Sequence, residues 1–139
     1  MPPRIELVRQ WLAKADDDLR LADMALAARP PVCWGAAFHA EQAVEKLLKA
    51  LLTFHAIEFE KTHSIDYLLE LCLPACPAVE ALRDAVGDLT DYAVEARYPF
   101  PRTEPSQAEA SESIRIARQA RRLVHSALPK DVLEGLSPA

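Results

Sequence analysis

Eleven prolines divide this chain before any other feature needs weighing. Proline has no amide hydrogen, clashes with the preceding helical turn, and pushes the residue before it away from helical angles. The prolines stand at positions 2, 3, 30, 31, 74, 77, 99, 101, 105, 129 and 138. They leave four windows long enough for substantial helices, and each internal cluster marks a turn. Half of the 139 residues are hydrophobic but only 6% are aromatic. Ala and Leu dominate the apolar set, which favours helix packing over sheet. The expectation is an all-α, up-and-down four-helix bundle, one domain over residues 4–128, followed by a short tail, 129–139, that frays.

The first window, 4–29, carries Ile5, Val8, Leu12, Ala15, Leu19, Ala22 and Leu26 at spacings of three and four, with Trp11 beside them. That is the stripe of an amphipathic helix. Asp16, Asp17 and Asp18 sit mid-helix. They read as a solvated acidic face, with metal binding or contact with a basic helix as the alternatives. Consecutive residues on a helix diverge, so three in a row make a poor metal cage.

The second helix is expected from Val32 to about His55, and its centre is the stretch AAFHAEQAVEKLLKALLT at 36–53. On a wheel of about 100° per residue, Ala36, Ala40, Ala43, Val44, Leu47, Leu48, Ala50 and Leu51 share one half. His39, Glu41, Gln42, Glu45, Lys46, Lys49 and Thr53 take the other, with Phe38 and Leu52 among them. A polar arc interrupted by apolar groups suits a partner surface or a cleft better than plain solvent. Gly35, near the start, suits a close approach by another part of the chain. An extra short helix follows near residues 63–72, with Thr62 or Ser64 as N-cap and Pro74 as its stop. The third long helix is expected over 78–98, with Val79, Leu82, Val86, Leu89 and Ala93 as a regular seam, and the last over 106–128.

A net charge of −5 argues against a surface that coats nucleic acid as a whole, so any polyanion contact must be local. Cys33, Cys72 and Cys76 are too few and too irregular for a disulfide framework, and the N-terminal MPPRIELVRQW interrupts with charge where a signal peptide needs an apolar run. No window of 18 apolar residues exists for a membrane span. A cytoplasmic protein is expected. Pro74 separates Cys72 from Cys76 and no second ligand pair supplies zinc spacing, so no metal and no cofactor is expected.

Four strings together carry a resemblance to a known family: Trp11 with Ala15 and Asp18, then FHAEQAVEKLLKALL at 38–52, KTHSIDYLLEL at 61–71, and ARYPF at 96–100. The chain resembles the HEPN domain family, over roughly residues 5–127. The most specific elements are Gln42, Glu45, Lys46, Lys49 and Ala50 in their helical spacing, the Thr62–His63 pair, and Arg97–Tyr98–Pro99. The resemblance implies a helical bundle that forms homodimers, encoded beside a minimal nucleotidyltransferase. It also implies a toxin-like role: cutting RNA, or binding nucleotides without catalysis.

Ribonucleases of that family use an arginine, four to six intervening residues, and a histidine, without metal. Arginine can stabilise developing phosphorane charge while histidine moves a proton. After Arg97 this chain has Arg102, Thr103 and Glu104 in that loop, with no histidine. One match stands elsewhere, Arg118 with His125, and chance placement of this composition supplies about one. Arg97, Arg118 and His125 are therefore the catalytic candidates. Arg115, Arg118, Arg122 and His125 also form a basic line along the last helix. It reads as cations complementing the helix C-terminus and pairing with carboxylates such as Asp16–Asp18, or as a phosphate-contacting ridge. On the second helix, His39, Gln42, Lys46 and Lys49, with His63, Arg97 and Tyr98 brought near, are the candidates for a nucleotide, RNA or interface site. The plain alternative is that Glu41, Glu45, Lys46 and Lys49 form i,i+4 pairs worth a few tenths of a kcal/mol each. That alternative makes the chain a non-catalytic dimerisation or partner-binding module.

Overall fold

The structure, a computed structural model, describes residues 3–87, 89 and 104–134. Among these, every regular element is helical. In order they are α1 (Arg4–Ala27), α2 (Cys33–Phe54), α3 (Ile65–Cys72), a 3₁₀ segment (Pro77–Leu82) running into α4 over 83–87, α5 (Gln107–Ser126) and the single turn α6 (Lys130–Leu133).

The helix ends follow local chemistry. Ser64 caps α3 by accepting from the Tyr67 amide, and Ser106 with Glu109 forms a reciprocal capping box at the start of α5. α2 ends with the Ile57 amide donating to the Leu52 carbonyl and the Ala56 amide to the Thr53 carbonyl. This is a Schellman turn, with Ala56 at φ 56° where glycine is the usual occupant.

α1 and α2 run antiparallel. Gly35 lies by Ala25, His39 and Lys46 by Asp18, and Lys49 by Trp11, so positions rise on one helix as they fall on the other. A Cβ at Gly35 would meet Val32 at 3.3 Å and Ala25 at 3.5 Å, which is the close approach anticipated there. α5 is antiparallel to α1 as well, with Arg118 by Asp23 and Arg121 by Asp16. Both relations are those of an up-and-down bundle.

α2 packs against α1, α3 and α5. Its apolar half is buried as the wheel requires, but so are Leu52, Glu41, Glu45 and Lys49. The polar arc of α2 is thus largely enclosed within one chain, where the sequence pattern pointed outward to a partner or cleft. Two further differences have local causes. The window expected as a single helix over 78–98 begins as a 3₁₀ turn: Pro77 occupies the first position, where no N–H is needed, and the Val79 amide reaches back three residues to Cys76. Val79, Leu82, Val86 and Leu89 are buried as a seam all the same, while Ala93 and the remainder of that window lie outside the described residues. Of the segment after Pro129, expected to fray, Lys130–Leu133 forms α6, and residues 135–139 lie outside the described residues. Val132 is 1% exposed, and the Arg9 guanidinium donates to the Val132 carbonyl at 3.0 Å and the Asp131 carbonyl at 2.5 Å, tying α6 to α1.

Candidate functional site

Because α2 is wrapped by its neighbours, its polar side chains must find partners inside the fold. His39 and Lys46 lie two turns apart on one face, and both meet the carboxylate of Asp18 on α1. His39 Nδ1 is 2.9 Å from Oδ1, and Lys46 Nζ is 2.5 Å from Oδ2. The Asp18 side chain is 10% exposed, against 29% for His39 and 21% for Lys46.

A second cluster stands further along α2. Glu45 and Lys49, one turn apart, pair at 3.0 Å with side chains 4% and 8% exposed. The other Glu45 oxygen holds His63 Nδ1 at 3.0 Å. His63 comes from the loop leading to the Ser64 cap of α3, and its ring is 75% exposed. The Lys49 ammonium also lies 5.3 Å from the centroid of Trp11 and 6.0 Å from that of Phe59, within cation–π range.

In each cluster a buried carboxylate accepts at Nδ1 of an imidazole. An ionised carboxylate there selects the Nδ1–H tautomer and leaves Nε2 with its lone pair. Such a nitrogen can accept a hydrogen bond from a ligand hydroxyl or take up a proton. The lysines of the arc are not a bare basic floor, because Asp18 and Glu45 neutralise them. Lys49 is turned inward and Lys46 is only partly open.

A third cluster joins α1 to α5. Arg121 binds Asp16 through both carboxylate oxygens, at 2.9 and 3.4 Å, and Arg118 pairs with Asp23. The acidic run at Asp16–Asp18 is therefore not a solvated face. Successive helical residues diverge by about 100°, so Asp16 meets α5, Asp18 meets α2 and only Asp17 stays exposed. His125 is half-buried and its Nε2 has no hydrogen-bond partner among the described residues. Burial, and then the positive Arg121, hold its pKa below the ordinary histidine value, with Asp16 opposing them.

Of the candidate residues, the structure brings His39 with Lys46 and His63 with Lys49. Gln42 is half-buried on α2, and Arg97 and Tyr98 lie outside the described residues. The basic line of the last helix is broken up by its partners: Arg115 is held by Glu112 within α5, Arg118 by Asp23, and Arg122 is exposed. The arginine that engages Asp16 is Arg121, off that line. Sequence reading does not assign Asp18 and Glu45 their role of orienting imidazoles, nor Trp11 and Phe59 their place against Lys49. The available signal is position: Asp16 and Asp18 directly flank the seam residues Ala15 and Leu19, where a helix has one edge toward each neighbour. Among the described residues no group of three or more His, Cys, Asp or Glu side chains is arranged to hold a metal ion.

A sequence model of the HEPN domain matches residues 8–127, from the second turn of α1 through the end of α5. The chain belongs to the HEPN domain family. This is a nucleotide- and RNA-related family of helical domains that commonly dimerise and bind RNA. Searches of curated proteins and of solved structures returned no match. In this HEPN domain, no helix among the described residues is long and apolar enough to cross a membrane.

Proposed function

We propose that this HEPN domain is the toxin-like member of a pair with a minimal nucleotidyltransferase, working in the cytoplasm as a homodimer that binds RNA or nucleotide. The observation that supports this most is the pair of carboxylate-held imidazoles, Asp18–His39 and Glu45–His63, on the segment that carries the family signature. Their Nε2 atoms, each left with a lone pair, are the site's acceptors for ribose hydroxyls, with Gln42 and Lys46 on the same helix as His39 and with Arg97 and Tyr98 as the further candidates. Lys49 serves the site from inside by completing the charge of Glu45. Fluorescence anisotropy with a labelled single-stranded RNA, with ATP as competitor, tests the reading. Wild type binds, and the double variant His39→Ala with His63→Ala weakens binding roughly tenfold, the scale of two neutral hydrogen bonds. No binding by wild type at low salt overturns it.

Metal-free cleavage of the RNA is the catalytic form of the same reading. Arg97, Arg118 and His125 are its candidates, Arg118 being engaged by Asp23 in a partly exposed ion pair; RNA that stays intact in the presence of chelator removes this form. A second reading, a non-catalytic dimerisation or partner-binding module, is favoured by the neutralisation of both lysines in the arc. It predicts a stable complex with the nucleotidyltransferase and no RNA affinity.

A further inference from the structure

Two shallow grooves open along α1, outside the stripe that it buries in the core. One, of about 210 Å³, is lined by Leu7, Gln10, Trp11 and Lys14, and the other, of about 260 Å³, by Asp17, Arg20, Leu21 and Met24. Each quartet follows the i, i+3, i+4, i+7 pattern of one helical face. The i, i+3, i+4, i+7 spacing reads the same in both directions, so an antiparallel copy sets the two quartets against each other position by position, and the side-chain chemistry decides whether they fit. Leu7 with Met24, Gln10 with Leu21, Trp11 with Arg20 and Lys14 with Asp17 all have position numbers that add to the same value. Reversal of order about one midpoint is what a two-fold axis does to a helix paired antiparallel with its own copy.

The chemistry of the pairs matches that operation. Lys14 meets the partner's Asp17, and Asp17 meets the partner's Lys14, so two opposite-charge contacts flank the axis. Leu7 meets the partner's Met24 further out on the same face, while Trp11 and Arg20, about 180° apart on the helix, lie on opposite flanks of the contact. A parallel pairing in register would instead set Lys14 on Lys14, Asp17 on Asp17 and Arg20 on Arg20. The charged groups concerned are also ones that the fold leaves unused. Asp16, Asp18 and Asp23 of α1 are all ion-paired, whereas Lys14, Asp17 and Arg20 are exposed and form no ion pair among the described residues. Leu21 and Met24, 43% and 63% exposed, are two of the large hydrophobic side chains left open to solvent.

We propose that α1 is the contact between two copies of this chain, paired antiparallel about a two-fold axis level with Ala15 and Asp16. This rests on the homodimer of the preceding section and gives it a surface and a register. The register makes a particular prediction about charge reversal. Lys14→Glu alone sets a new carboxylate against Asp17 twice, and Asp17→Lys alone sets two lysine pairs in contact, so each raises the dimer dissociation constant roughly tenfold. A one-to-one mixture of the two variants restores opposite charges across a heterodimer.

Sedimentation velocity on wild type, each variant and the mixture reads this directly, with circular dichroism to show that the variants keep their helical content. Weakened dimers of each variant, rescued on mixing, are the expected result. A wild-type dimer that both substitutions leave intact overturns the α1 surface while the homodimer stands. Variants that weaken the dimer without rescue on mixing overturn the antiparallel register. A wild type that stays monomeric overturns this inference and the homodimer together.

Discussion

Replacing Glu45 with Met isolates the energetics of the α2 interior. The Lys49 ammonium is paired with Glu45 at 3.0 Å and its side chain is 8% exposed, so after substitution it is left with only the faces of Trp11 and Phe59. Removing one partner of a buried ion pair costs on the order of 3–5 kcal/mol, and the two rings bring the expected loss to the lower end, about 3 kcal/mol. For a chain of this size that lowers the melting temperature by roughly 10 °C. Lys49→Met costs less, about 1–2 kcal/mol, because Glu45 keeps His63 at 3.0 Å. The double variant Glu45→Met with Lys49→Met buries no charge and falls within about 1 kcal/mol of wild type. Urea unfolding of all four proteins completes a double-mutant cycle with a coupling of several kcal/mol. An additive cycle, or a loss below about 1 kcal/mol for Glu45→Met, would mean that the pair is worth no more than an exposed i,i+4 contact.

Three other consequences are open to measurement. His125 has a folded-state pKa below its ordinary 6.5; the unfolded chain therefore takes up a proton first as pH falls. Stability from this residue is present above that value and is lost as pH drops from 6.5 toward the folded-state pKa. A His125→Leu variant should show a flatter acid limb between those points, and an unchanged slope would exclude His125 as the source. Burial, and then the neighbouring Cys76, push the Cys72 thiol up to about 12, so at about pH 8, near the ordinary thiol range, a thiol reagent should label Cys33 and leave Cys72 unmodified until denaturant is added. At the end of α2, Ala56→Gly relieves a left-handed alanine and should raise stability by about 0.5–1 kcal/mol in chemical unfolding; a destabilised variant would show that the turn is held by something other than its backbone angles.

The helical architecture is legible because it depends on two signals that a single sequence carries in full. Proline positions bound the windows, and spacings of three and four mark the seams, so Val8, Leu12, Ala15, Leu19 and Ala22 all lie in the core that the pattern assigns them to. The enclosure of the α2 polar arc is not legible. A helical wheel sorts residues by direction but does not show what lies in each direction, and Glu45 and Lys49 look the same whether solvent or another helix covers them. Asp16 and Asp18 illustrate the same limit. Their partners Arg121, His39 and Lys46 are 105, 21 and 28 residues away along the chain, far beyond the range of any local pattern. The 3₁₀ start at Pro77 escapes a sequence reading for a smaller reason: the periodicity of Val79, Leu82 and Val86 survives a change from three to four residues per hydrogen-bonded turn.

If His39 of α2 and His63 of the loop before α3, held from behind by Asp18 and Glu45, are the groups that meet an RNA or nucleotide, their rings must sense the ligand. Nitrogen–proton correlation spectra of the four imidazoles, recorded with and without a short single-stranded RNA, report on this atom by atom. The Nε2 resonances of His39 and His63 should shift while those of His55 and His125 stay in place. A titration that moves only His125, or moves no histidine while the RNA is bound, would contradict the assignment of these two imidazoles to the site.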